Sequence, residues 1–400
     1  MGAILLIAGT CIGSGMIALP MVFANIGIIP SILLMLFIWA IMYYTSLINL
    51  ELNLQAGHGL PLGLLGRKFS GRIAEAIGNI SLKLLSYSLL AVYIYGGSSV
   101  LQTLIKTHLG TQISFDCIAA CYVIFAIALL LMPIKIIDYC NRLLFIGLLA
   151  IVGILMIGLA FNIHWTHLPL FSDGLTEISV WRALIPVVFT AFGFQVIFHT
   201  LTDYCNRNPR ILKRAFFWGS LLPAAVYILW ICTLLSVIYT DNSEFYAKMA
   251  HGKIEVGELI ETLSNISNWH SVQLLVWWIS LLAIFTSVIG IGVGLFQSLT
   301  KMVPSSISCP NARNFIAAIA TILPAYFVVI CIPNAFISVL GFAGMILTII
   351  AILLPVYLFW QIKEQKLYYP QLRIKSFVGL SVITALVIIL CELTNIFFKH

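Results

Sequence analysis

The sequence predicts an all-α integral membrane protein of about eleven transmembrane helices, with the first and sixth discontinuous. Three observations predict it. Hydrophobic residues make up 61% of the 400 residues and charged residues 9%, and the mean hydropathy is +1.07, more apolar surface than one soluble core can hide. Apolar runs of roughly 18 to 25 residues recur along the chain, each long enough at ~1.5 Å per residue to cross ~30 Å of hydrocarbon. Glycines and a proline interrupt two of those runs near their middles.

The spans follow in order. Span one, 2–26, has no basic leader and is broken by glycines in "GTCIGSGMIALP", so it reads as a retained helix and not a cleaved signal. Span two, 28–54, carries Glu51 near its end. Span three, 77–105, holds the small-residue stretch Gly96-Gly97-Ser98-Ser99. Spans four, 115–134, and five, 141–161, are apolar, and Leu143 to Phe161 contains no ionisable residue. Span six, 180–201, reads "ALIPVVFTAFGFQVIFHTL" in its middle: Pro186 removes a backbone donor and Gly193 sits between Phe192 and Phe194. Spans seven, 212–238, and eight, 270–299, flank Tyr239 to Trp269, a connection too short for an enzyme domain. Spans nine, ten and eleven cover 314–332, 334–360 and 376–398.

Lys and Arg set the orientation. With the N-terminus cytoplasmic, inside loops and helix ends hold 15 of the 21 basic residues, among them Arg67, Lys68, Arg72, Arg210, Lys213 and Arg373. The outside holds five, with Lys83 uncounted near the start of span three. That asymmetry predicts an N-in, C-out chain. The net charge of +7 then reflects topology and contact with anionic lipid, and gives no case for nucleic acid. Nine cysteines lie scattered without metal-ligand spacing and read as packing residues. No phosphate loop, dinucleotide fingerprint or zinc-protease motif is present. An intramembrane enzyme would need a nucleophile and base on facing helices, and His164 and His167 lie in a loop without such partners. A passive channel would not need two broken helices.

Spans one and six are separated by a whole set of helices that makes them run in opposite directions. Residues 1–165 and 180–360 then form two halves of opposite topology, with 376–398 appended. This is the pattern of an inverted-repeat secondary transporter, whose substrate and ion sites lie at the midplane where paired helices unwind. Half-helix N-termini offer N–H groups to a carboxylate, and freed carbonyls can hold an ammonium or a cation. Close helix packing through Gly9 and Gly13 is the competing reading of the glycines.

"GTCIGSGMIALP", "PVVFTAFGF" and "LLAIFTSVIGIGVGLFQSL" together resemble the bacterial hydroxy and aromatic amino acid permeases, over nearly the whole chain. The resemblance implies the leucine-transporter-like fold, a 5+5 inverted repeat, and import of an aromatic amino acid, tyrosine first and tryptophan next, by ion symport across the inner membrane, with symport or exchange of another neutral amino acid as the alternative. It implies a monomer with an amino acid and lipid as partners, and no cofactor beyond a coupling cation. It places the carboxylate on the N–H groups of Ser14 and Gly15 in a Gly13-Ser14-Gly15 turn. The ammonium goes to the carbonyls of Cys11, Phe189 and Thr190. Because backbone reads both ends, side-chain selection falls to Phe192 and Phe194 around Gly193, with Tyr87, Tyr93, Tyr95 and Gln195 as further candidates.

The driving ion has two readings. Ala283, Thr286 and Ser287 share one helix face, and by resemblance to sodium-coupled members would hold sodium with the carbonyls of Gly9 and Ile12. Met16 stands where a second sodium site would need an Asn. The bacterial aromatic permeases, in contrast, are regarded as proton symporters. A proton needs a titratable carrier, for which Glu51, His199, Asp203 and Glu392 are the membrane-embedded or near-membrane candidates.

Overall fold

Backbone in hydrocarbon must satisfy its own hydrogen bonds, so the apolar runs fold as helices. The computed structural model describes residues 2–57, 59–160, 168–206, 208–266, 270–300, 302–303, 310–332, 335–362 and 367–397, and is all-α among them. The helices are α1 (Gly2–Cys11), α2 (Ser14–Phe23), α3 (Ile28–Ala56), α4 (Leu62–Ser70), α5 (Arg72–Leu109), α6 (Phe115–Leu130), α7 (Ile134–Ala160), α8 (Ile178–Thr190), α9 (Phe198–Tyr204), α10 (Pro209–Asp241), α11 (Ser243–Ala250), α12 (Val256–Ile266), α13 (His270–Thr300), α14 (Pro310–Cys331), α15 (Ala335–Thr348), α16 (Leu354–Gln361) and α17 (Lys375–Phe397). A π turn, Ile349–Leu353, joins α15 to α16, and a 3₁₀ turn, Phe194–Ile197, leads into α9.

Among the described residues eight helical segments are long and apolar enough to cross a membrane, or nine if α1 and α2, bent by 49°, count as one span. The chain is a multi-pass membrane protein. Leu33, Ile80, Ile124, Leu229 and Leu390 point outward, an apolar exterior that suits hydrocarbon. α5, at 38 residues, is the central post: α4, α6, α12, α13, α14 and α15 all pack on it.

Some predicted boundaries move. Span five begins at Ile134 and not at 141, because Pro133 opens the helix by offering its carbonyl to the N–H groups of Ile136 and Ile137. Span three begins at Arg72, after a turn at Gly71 with φ of 96°. The long connection after α10 folds into α11 and α12. The cysteines divide: Cys11 and Cys205 are buried, Cys232 and Cys391 half-buried, and Cys117, Cys121, Cys140 and Cys331 exposed.

The helix-interior prolines explain several long-range contacts. Proline has no N–H, so the carbonyl four residues before it loses its helical donor. Pro20 strips Met16 O, and the Trp230 indole N–H from α10 donates to it at 2.7 Å. Pro186 strips Arg182 O, which the Asn395 amide from α17 satisfies at 2.9 Å. Pro324 strips Ala320 O, which takes the Tyr87 hydroxyl of α5 at 2.8 Å. Each bond ties two helices far apart in the chain, and the one at Met16 O is buried.

The two ends of the bundle differ in charge. At one, Glu51 of α3 accepts the N–H groups of Tyr368 and Tyr369 at 2.9 and 3.0 Å and the Gln55 amide at 2.8 Å, with Lys213 over the Tyr369 ring. Arg373, nearby, donates to Phe359 O and Ile362 O. At the other, α12 lays Val256, Leu259, Ile260 and Leu263 onto the bundle, and its flank carries Glu255, Glu258 and Glu261. Gly27 is a required glycine at that end: its φ is 85°, and an added Cβ would stand 2.7 Å from the Phe171 backbone.

Candidate functional site

The first break lies one residue earlier than the sequence suggested. Ile12 and Gly13 leave the helix, while Ser14 and Gly15 already form the first turn of α2, because Met16 N–H turns back to Gly13 O at 3.1 Å. The predicted Gly13-Ser14-Gly15 turn is therefore corrected to Ile12-Gly13. The N–H groups of Ser14 and Gly15 are among the orphan donors of a new helix, and the Cys11 carbonyl has lost its helical partner, Gly15. The Ser14 side chain lies outside the described residues.

The second break falls where it was expected. α8 ends at Thr190, and Ala191, Phe192 and Gly193 run through tight turns. Phe192 N–H bonds Phe189 O at 3.2 Å and Gly193 N–H bonds Thr190 O at 3.1 Å, so those two carbonyls each hold one donor already. The Thr190 hydroxyl donates to Pro186 O and Leu340 O, pinning α8 to α15. Ala191 O, like Cys11 O, is left to a side chain.

That side chain is Tyr227 of α10, fully buried. Its hydroxyl donates to Cys11 O at 2.5 Å and lies 3.3 Å from Ala191 O, spanning the two breaks. Its ring meets Phe192 edge-on, with centroids 5.8 Å apart at 85°. A Cβ on Gly15 would stand 2.9 Å from the Tyr227 hydroxyl and 3.0 Å from Ala191 Cβ. One on Gly13 would stand 2.8 Å from Ser287 Oγ and 3.8 Å from the Tyr93 hydroxyl. The glycines thus serve both readings: α1 to α2 breaks at Gly13, and α5, α8, α10 and α13 close on the break because no Cβ is there. Beside it, under α12, a cavity of about 10 Å³ lined by Met16, Trp230, Leu259 and Ala283 holds no more than one water.

The remaining candidates fall into place by contact. Thr286 donates to Leu282 O at 2.8 Å and Ala283 O at 3.3 Å, and Ser287 to Ala283 O at 2.7 Å; both hydroxyls bond back to their own helix. Gly9 lies in the last turn of α1 and Ile12 in the break. Phe194 packs on Phe198, which packs on Phe216. Tyr87 caps Ala320 O. A Cβ on Gly96 would touch Phe336 and one on Gly97 would touch Tyr122, so these two glycines allow close packing. Ser99 accepts the N–H of Gly257. Tyr95 packs on Phe115 with the rings tilted by 45°. Gln195 reaches Met42, and its other amide atom, Oε1, is buried without a partner among the described residues. Glu392 of α17 is buried against Gly341 and near the Asn395 amide. The side chains of His199 and Asp203, and residues His164 and His167, lie outside the described residues.

Sequence reasoning missed Tyr227 and Trp230. A signal for Trp230 existed, since Pro20 declares Met16 O an acceptor in need of a donor. Nothing local marks Tyr227, whose role depends on α10 packing beside both breaks.

The tryptophan/tyrosine permease family matches residues 1–398. The chain is 29% identical to Tyrosine-specific transport system 1 of Haemophilus influenzae over 367 residues, covering 91% of this chain and 88% of that one. It is 28% identical to a Tryptophan-specific transport protein of Pseudomonas aeruginosa, covering 89% and 84%. It is 24% identical to Glutamine transporter 2 of Aliivibrio fischeri, covering 88% and 87%. The buried, doubly broken helical bundle and these matches together place the chain in the tryptophan/tyrosine permease family.

Proposed function

We propose that this protein imports an aromatic amino acid, tyrosine first and tryptophan next, by cation symport with alternating access. The observation that carries the reading is the meeting of the two breaks: the carbonyls of Cys11 and Ala191 share the Tyr227 hydroxyl beside Phe192, Gly15 lies close to Ala191, and Ser14 and Gly15 open α2 with free helix-start N–H groups. Such a site reads carboxylate and ammonium by backbone and leaves rings to meet the side chain. In this reading the chain crosses the inner membrane eleven times, N-in and C-out, as a monomer, with 1–165 and 180–360 as inverted halves. The charge difference between the bundle ends supports that orientation. Cys11, Phe189 and Thr190 remain the ammonium side, now joined by Ala191.

The coupling ion is a proton, with sodium at Gly9, Ile12, Ala283, Thr286 and Ser287 the alternative. Both hydroxyls of the sodium motif already donate within α13, although their lone pairs still face outward from those bonds. Of the proton carriers, Glu51 is occupied as a clamp between α3 and the segment before α17, which leaves Glu392, His199 and Asp203. The test is uptake of radiolabelled tyrosine, tryptophan and glutamine into proteoliposomes under a proton or a sodium gradient in turn. Tyrosine uptake driven by an inward proton gradient at zero sodium is the expected result. Uptake of glutamine alone, or of nothing without sodium, would reverse the substrate or the ion.

A further inference from the structure

Tyr227 sits in the candidate site yet no motif called attention to it. A helix break leaves carbonyls without donors, and in a water-poor interior each needs one. Here one phenol serves two of them, 2.5 Å from Cys11 O and 3.3 Å from Ala191 O, one on each broken span. A hydroxyl has a single proton, so it donates to Cys11 O and only leans on Ala191 O. The group is fully buried and its ring meets Phe192 edge-on, so a hydroxyl that leaves these carbonyls shifts within the protein and not into solvent. It occupies the side of the site where a substrate ammonium would bring three donors to the same carbonyls.

We infer that the Tyr227 hydroxyl is a stand-in for the substrate's ammonium: it satisfies the break carbonyls of the empty carrier and is displaced from them when substrate binds. The inference rests on the transport reading above. Its consequence is kinetic. Net uptake requires the carrier to return empty, with the Tyr227 hydroxyl as the donor to the break carbonyls. Exchange of internal for external substrate never passes through the empty return. The Tyr227 hydroxyl is therefore a positioning group for the empty state, a role separate from that of its ring, which lies beside Phe192.

The experiment compares net tyrosine uptake with tyrosine–tyrosine exchange in proteoliposomes holding wild type, Tyr227→Phe or Trp230→Phe. Phenylalanine at 227 keeps the ring against Phe192 and removes the donor; Trp230→Phe removes a buried donor of the same helix whose acceptor, Met16 O, is not one of the break carbonyls. In Tyr227→Phe the exchange-to-uptake ratio should rise about ten-fold, the effect of one buried hydrogen bond on the empty-state step, and in Trp230→Phe it should stay near wild type. The ratio does not depend on how much folded protein each preparation contains. An unchanged ratio in Tyr227→Phe, or a rise that Trp230→Phe shares in full, would overturn the inference. Wild type that neither takes up nor exchanges tyrosine would instead overturn the substrate reading itself.

Discussion

Trp230 and Pro20 offer a sharp test of how this bundle is held. In Trp230→Phe the Met16 carbonyl, buried at 1% exposure, loses the donor that reached it at 2.7 Å. An orphaned buried acceptor costs about 1–3 kcal/mol in soluble proteins, while side-chain hydrogen bonds in membrane proteins average about 0.6 and reach about 1.7. The site lies in the protein interior and not in lipid, so about 1–2 kcal/mol is expected from the bond. Loss of the larger ring adds a packing cost of similar size that has nothing to do with Pro20. Pro20→Ala separates the two, since alanine restores the N–H that Met16 O lacks. In that background Trp230→Phe should keep its packing cost and lose its hydrogen-bond cost, a coupling of about 1–2 kcal/mol in the cycle. A thermal scan is the wrong assay: for 400 residues the unfolding entropy makes 1 kcal/mol worth only about 1 °C. Equilibrium unfolding in mixed detergent micelles reads the free energies directly. Strict additivity of the two substitutions would show that the proline-freed carbonyl is not what Trp230 answers, and the same logic at Pro186–Asn395 and Pro324–Tyr87 would fall with it.

Gly15→Ala should impair tyrosine uptake at least ten-fold with the protein still reaching the membrane, because even one methyl would stand 2.9 Å from the Tyr227 hydroxyl and 3.0 Å from Ala191 Cβ; uptake at wild-type rates would mean the close approach is not needed. Glu255 lies at the acidic end, exposed as a residue but with its carboxyl about half-buried near Tyr95 and Ser99; burial and then the Glu258 charge raise its pKa above the ordinary 4.5. A raised carboxyl pKa means the docked state holds its proton more tightly than the undocked one, so docking of α12 gains as pH falls toward 4.5 and loses as pH rises past the raised value. Hydrogen exchange in α12, corrected for its intrinsic pH dependence, should slow on acidification from neutral pH, and Glu255→Gln should remove the change; a pH-independent α12 in wild type would contradict it.

What the sequence by itself determined is what depends on composition and on local backbone chemistry. Apolar runs longer than a bilayer is thick can only be helices there, and so the multi-pass class and the positions of the long helices were legible. Pro186 and Gly193 remove a donor and a side chain in midspan, so a break near Phe192 was legible too, as was one near Gly13. Tertiary structure decided the rest. Whether Thr286 and Ser287 turn to their own helix, or Tyr87 to a pocket or to Ala320 O, depends on which neighbour stands within about 3 Å, and sequence spacing carries no such distance. Glu51 read as a titratable group in the membrane and proved to be clamped by two N–H groups more than 300 positions away along the chain. Tyr227 read as one aromatic residue among many, and became the link between the broken spans only because α10 packs beside both of them: a freed carbonyl is a local fact, but the donor that answers it is chosen by the fold.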